Sequence, residues 1–187
     1  KFSLMPSETF LGLAPEVCKA IVPGALLALE HQKIINGVHR NGYKIFTYMD
    51  PLAGYTLPET HRRMRGLELW KTRLDGTMTW SYAHITQQPH TQPGPIQRVS
   101  TIFSFVLRGK EAPLDTLAWE AYREAYDDAR YLAALQDAIK KAKSSEARRE
   151  LAAESATWLK NVSVDANLDQ WRAEMIRRTE QLLRPSE

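Results

Sequence analysis

The groups best equipped for acid–base chemistry crowd into Trp119–Leu132, WEAYREAYDDARYL. There Glu120, Glu124, Asp127 and Asp128 stand among Arg123, Arg130 and four aromatic side chains. Two carboxylates can serve as acid and base only if both face one substrate atom. Their spacing argues against it. Neighbouring helix positions point about 100° apart, so Asp127 and Asp128 diverge. The three- and four-residue offsets instead pair Glu120 with Arg123, Arg123 with Asp127, and Asp127 with Arg130 along a helix surface. These acids are expected to be structural. The same reading puts Asp115 or Thr116 at the N-cap, and Ala118, Tyr122, Ala125, Ala129, Leu132 and Ala133 on the buried stripe.

Other chemistry is thinly represented. Cys18 is the one cysteine, which excludes an intrachain disulfide and a cysteine-built zinc site. His84 and His90 sit in a proline- and glutamine-rich stretch without helical His-x-x-x-His spacing, so no metal is expected. Neither G-x-G-x-x-G nor G-x-x-x-x-G-K occurs. The basic clusters HRRMR (61–65) and Arg177-Arg178 are flanked by Glu59, Glu68 and Glu180 and read as solvated helix faces. With a formal charge of only +3, no nucleic-acid partner is expected. No cofactor is called for, and no apolar run approaches the ~20 residues of a membrane span. The chain opens on Lys1 rather than Met and reads as part of a longer protein.

The elements that must position these groups follow from periodicity. Cys18–Val22 is a short apolar strand candidate. Leu27, Ile34, Ile35 and Val38 share one helical face over 25–41, closed by Gly42. KIFTYM (44–49) is a continuous apolar run of strand length, as in a parallel sheet. Pro58 opens a helix through PETHRRMRGLELWK, with Gly66 an awkward interior residue. LDGTMTWSY (74–82) alternates as a strand. Strand–helix–strand with short links predicts parallel α/β structure. A long irregular loop spans 84–100, Ile102–Leu107 is a further strand candidate, and helices are expected over 116–143, 145–160 and 166–183.

Three ordered blocks, GYKIFTYMDP, LELWKTRLDGTMTWSY and DTLAWEAYREAYDDARYLAAL, resemble the C-terminal part of the glycoside hydrolase family 123 catalytic domain. Trp119, Glu120, Arg123, Glu124, Asp127, Asp128, Tyr131 and Leu132 match its closing-helix pattern in order, with Ala125 where the family has glycine. The resemblance spans residues 40 to 135. It implies that 1–143 is the last part of a (β/α)₈ barrel, a fold that typically needs about 250 residues, while 144–187 is expected from its periodicity to be a helical extension packed on it. It also implies hydrolysis of β-linked N-acetylgalactosamine-type glycans by an adjacent Asp-Glu pair, with the substrate acetamido group as nucleophile. No Asp-Glu dipeptide occurs in this chain, so the pair is expected upstream and no catalytic residue is assigned here. The alternative from another class is a non-catalytic carbohydrate-binding or scaffold protein.

Barrel sites lie at the carboxyl ends of strands. Those ends offer Tyr48 and Asp50 from the first strand, and Trp80, Tyr82 and His84 from the second, as candidate glycan contacts. Trp80 shares parity with Met78 and Tyr82 and would either floor a sugar subsite or pack as core. Tyr48 and Tyr82 would donate hydrogen bonds to a sugar or to backbone, and Asp50 before Pro51 is also a turn former.

Overall fold

A computed structural model describes residues 20–21, 32–48, 57–79, 82, 105–108, 111–143 and 145–184. The protein mixes helix and sheet and divides into two compact units, Lys1–Ala125 and Tyr126–Glu187.

The first unit is built on a parallel sheet in which β1 (Ala20–Ile21), β2 (Lys44–Tyr48) and β3 (Gly76–Met78) lie side by side in chain order. Between β1 and β2 runs α1 (Gln32–Arg40), which buries Ile35 and Val38 completely. Gly42 ends it at φ +75°, the left-handed conformation that glycine adopts without a Cβ penalty. Between β2 and β3 the chain forms α2 (Pro58–Arg63), a π turn (Met64–Glu68) and α3 (Leu69–Thr72). Gln32 Nε2 donates to the Thr72 carbonyl at 2.8 Å, and Arg73 Nη1 to Asn36 Oδ1 at 3.2 Å. The two crossovers therefore touch and share one face of the sheet.

Asp75 ties down the amino ends of the strands. Its carboxylate accepts from the Ile45 amide, Lys44 Nζ and His39 Nε2, each at 2.9 Å. Partial burial pushes this carboxyl's pKa up. The amide, the ammonium and the imidazole together outweigh that and leave it below the usual aspartate value.

Of the expected strand Ile102–Leu107, residues 102–104 lie outside the described residues, and the described end does not pair with the parallel sheet. Val106–Arg108 (β4) pairs antiparallel with Pro113–Asp115 (β5), Leu107 opposite Leu114. The reason is local: only a few residues separate the two strands, enough for a hairpin and too few for a parallel crossover.

The helix α4 (Leu117–Ala142) starts in the first unit and continues into the second. Thr116 caps it: its hydroxyl accepts from the Trp119 amide at 3.2 Å and donates to the Phe105 carbonyl at 2.6 Å. The expected stripe needs correction. Ala118, Ala125 and Leu132 are buried, but Ala129 and Ala133 are exposed, while Ala121, Asp128 and Leu135 are buried. The buried register advances by three or four residues through 118, 121, 125, 128, 132 and 135, and an aspartate falls on it.

In the second unit, α5 (Arg149–Asn161) and α6 (Leu168–Leu183) join the latter part of α4. Leu168, Trp171, Met175 and Leu182 are buried as their periodicity requires, and Leu183 is exposed. Arg172 Nε donates to the buried Asp128 at 2.5 Å, and Arg148 Nη1 to the Leu182 carbonyl at 3.1 Å. No described helix is long and apolar enough to cross a membrane.

Candidate functional site

Parallel pairing of Phe46 with Gly76, Thr47 with Thr77, and Tyr48 with Met78 sets the carboxyl ends of β2 and β3 at one level. The face carrying Thr47 and Thr77 is covered by the crossover helix, because Arg65 Nη1 donates to Thr77 Oγ1 at 2.8 Å. Phe46, Gly76 and Met78 have the opposite parity and are half-buried.

Four aromatic or basic side chains, Tyr82, Tyr122, His61 and Arg65, gather around Phe105 and Trp119. Phe105 is buried and lies 5.3 Å from Tyr122 and 5.8 Å from Trp119 between ring centroids. Trp119 and Tyr122 run nearly parallel, 11° apart at 5.8 Å, as successive turns of α4 allow. Tyr82 meets Trp119 edge-on at 5.1 Å and 77°. The residue is 51% exposed, so part of Tyr82 faces solvent while Trp119 packs against its ring. Its carbonyl accepts from the Phe105 and Val106 amides, which fixes the backbone beneath it.

From the crossover come His61 and Arg65, four residues apart on one face. His61 is fully buried with its ring edge toward Phe105 at 6.0 Å. Arg65 is 4% exposed, its guanidinium 5.4 Å from the Phe105 ring and 5.2 Å from Tyr122. Cation–π contact of this kind strengthens when water is excluded.

Of the residues selected from the sequence, Tyr82 alone is described with its side chain, and it belongs to this cluster. Tyr48 lies at the carboxyl end of β2, with its backbone described. Asp50, Trp80 and His84, like the loop over 84–100, lie outside the described residues. His61, Arg65, Trp119 and Tyr122 were not selected as site residues. HRRMR reads as a solvated face, yet the structure buries its two end members. The i, i+4 spacing of His61 and Arg65 was the available signal; the intervening arginines obscured it.

The arrangement offers flat rings with polar rims, of which Tyr82 is the most exposed. The described residues gathered here include no pair of carboxylates. Asp75 is bound at the amino ends of the strands. On α4, Asp127 pairs with Arg130 at 3.3 Å while Asp128 pairs with Arg172, so the adjacent acids do diverge. Among the described residues no group of three or more His, Cys, Asp or Glu side chains converges. No protein-family model matches the chain, and no curated protein matches it.

Proposed function

We propose that this chain is the C-terminal part of a glycoside hydrolase acting on β-linked N-acetylhexosamine glycans of the N-acetylgalactosamine type. The observation that carries the reading is the pairing of KIFTY and GTM as neighbouring parallel strands joined by a crossover helix. Those two blocks bear the family-123 resemblance. Strands in chain order with crossovers on one face are the repeating unit of a (β/α)₈ wall. The half-buried face of Phe46, Gly76 and Met78 suits a barrel interior lined by further strands. Tyr82 is exposed and follows β3 in the chain, and barrel enzymes bind substrate with residues that follow their strands. The acid/base carboxylates belong to a segment outside this chain.

Two measurements test this. The purified 187-residue protein is expected to bind methyl β-N-acetylgalactosaminide saturably and to leave a chromogenic β-N-acetylgalactosaminide intact. Turnover at enzyme-like rates would show that the catalytic groups are in this chain; absence of binding would remove the carbohydrate reading. Joined to a preceding segment with an Asp-Glu pair after an apolar strand, the chain should gain hydrolysis. Binding without hydrolysis in that longer protein selects the non-catalytic alternative.

A further inference from the structure

Resting on the carbohydrate reading above, we propose that Arg65 is a positioning residue for a sugar-stacking shelf formed by Tyr82 and Trp119, acting through the ring of Tyr122. Arg65, Gly66 and Leu67 are three consecutive buried residues. A regular amphipathic helix turns each residue by about 100° and cannot bury three in a row on one narrow stripe. The π turn Met64–Glu68 widens the helix where this happens, and such turns frequently accompany functional sites. Gly66 faces Ala125 of α4, where a Cβ would make ordinary contact at 3.7 Å.

The guanidinium so delivered connects the sheet to the shelf. It donates to Thr77 Oγ1 on β3 at 2.8 Å and lies 5.2 Å from the Tyr122 ring. Tyr122 runs parallel to Trp119, and Trp119 and Tyr82 meet in a T-shaped pair. The path from Thr77 to the exposed ring thus passes through one planar cation and two stacked rings. Stacking on a pyranose face depends on ring tilt, so a group that fixes the tilt of Tyr122 and Trp119 sets the orientation of the shelf. Lysine would keep the charge but has neither the plane nor the fork that holds the threonine and the rings together.

The test is titration of the full chain with methyl β-N-acetylgalactosaminide, followed by tryptophan fluorescence and by chemical shifts, with far-UV circular dichroism confirming the folded fraction. Arg65→Met keeps the volume and removes the cation. It should weaken binding about tenfold per folded molecule, as should Tyr82→Ala. Arg65→Lys should recover part of the affinity, which a purely space-filling role would not predict. Thr77→Val, which removes the acceptor without touching the rings, should weaken binding about threefold and decides the matter if Arg65→Met does not fold. Unchanged affinity in Arg65→Met and Thr77→Val, with Tyr82→Ala weakened, overturns the positioning role and leaves the carbohydrate reading standing. No saturable binding by the unaltered chain, or unchanged affinity in Tyr82→Ala, overturns the shelf and this inference with it.

Discussion

Asp128 is wholly buried, and its carboxylate is met by Arg172 Nε at 2.5 Å, from a helix 44 residues further along the chain. The guanidinium also lies 5.6 Å from the Tyr131 ring, and 21% of the arginine side chain remains exposed. The pair is asymmetric in solvation, and so should be the cost of breaking it.

Arg172→Ala removes the guanidinium that faces a buried carboxylate and should cost about 3–5 kcal/mol. Asp128→Asn leaves a guanidinium that can turn to water, so a loss of roughly 1–3 kcal/mol is expected. Asp127→Ala, at an exposed pair with Arg130, should stay within about 0.5 kcal/mol of the parent. Chemical denaturation of the three variants provides the comparison. Equal effects for Asp127 and Asp128 would contradict the buried pair.

Acid should loosen the first unit through Asp75. Its carboxyl titrates below the unfolded reference of 3.8, so folding favours the ionised form. The stabilisation is fully present above that reference and is lost as pH falls through the lower folded value. Glu174 behaves alike: the Arg177 hydrogen bond and then the nearby Arg178 charge hold its carboxyl down, although burial pushes it up. In Asp75→Asn the decline in stability below about pH 4 should be shallower than in the parent, at the expense of lower stability at neutral pH. An identical slope in both proteins would remove Asp75 from the acid response.

Gly76 has no room for a side chain. A Cβ there would sit 2.8 Å from the Phe46 ring, its partner across β2 and β3. Gly76→Ala should destabilise by about 1–3 kcal/mol as the ring is displaced. Phe46→Ala in the same chain should relieve much of that, so the two changes together cost less than their sum. Strict additivity in thermal or denaturant melts would place the strain elsewhere.

Asn167 begins α6 by accepting from the Asp169 and Gln170 amides at 3.1 and 3.0 Å. Asn167→Ala should cost about 1 kcal/mol, and Asn167→Ser much less, because serine offers the same acceptor. Hydrogen exchange at those two amides should rise in the alanine variant alone.

Periodicity and turn chemistry act over a few residues, and what depended on them was legible. The face of Ile35 and Val38, Gly42 at the helix end, the parallel reading of KIFTY and GTM, the Thr116 cap and the stripe of Leu168, Trp171 and Met175 all follow from local steric and hydrogen-bonding preferences. So did the divergence of Asp127 and Asp128. The burial of polar groups was not legible, because it is tolerable only when a partner arrives from far along the chain. Asp128 looks like a surface acid until Arg172 reaches it, and Arg65 looks like one more solvated arginine until Thr77, Phe105 and Tyr122 surround it. Ile102–Leu107 carries a strand signal, but for Val106–Leu107 only the neighbour met decides between joining the parallel sheet and folding back on Pro113–Asp115. A side chain's type sets what contacts it can make. The tertiary structure decides which of those contacts exist, because they depend on distant residues sharing the same small volume from which water is excluded.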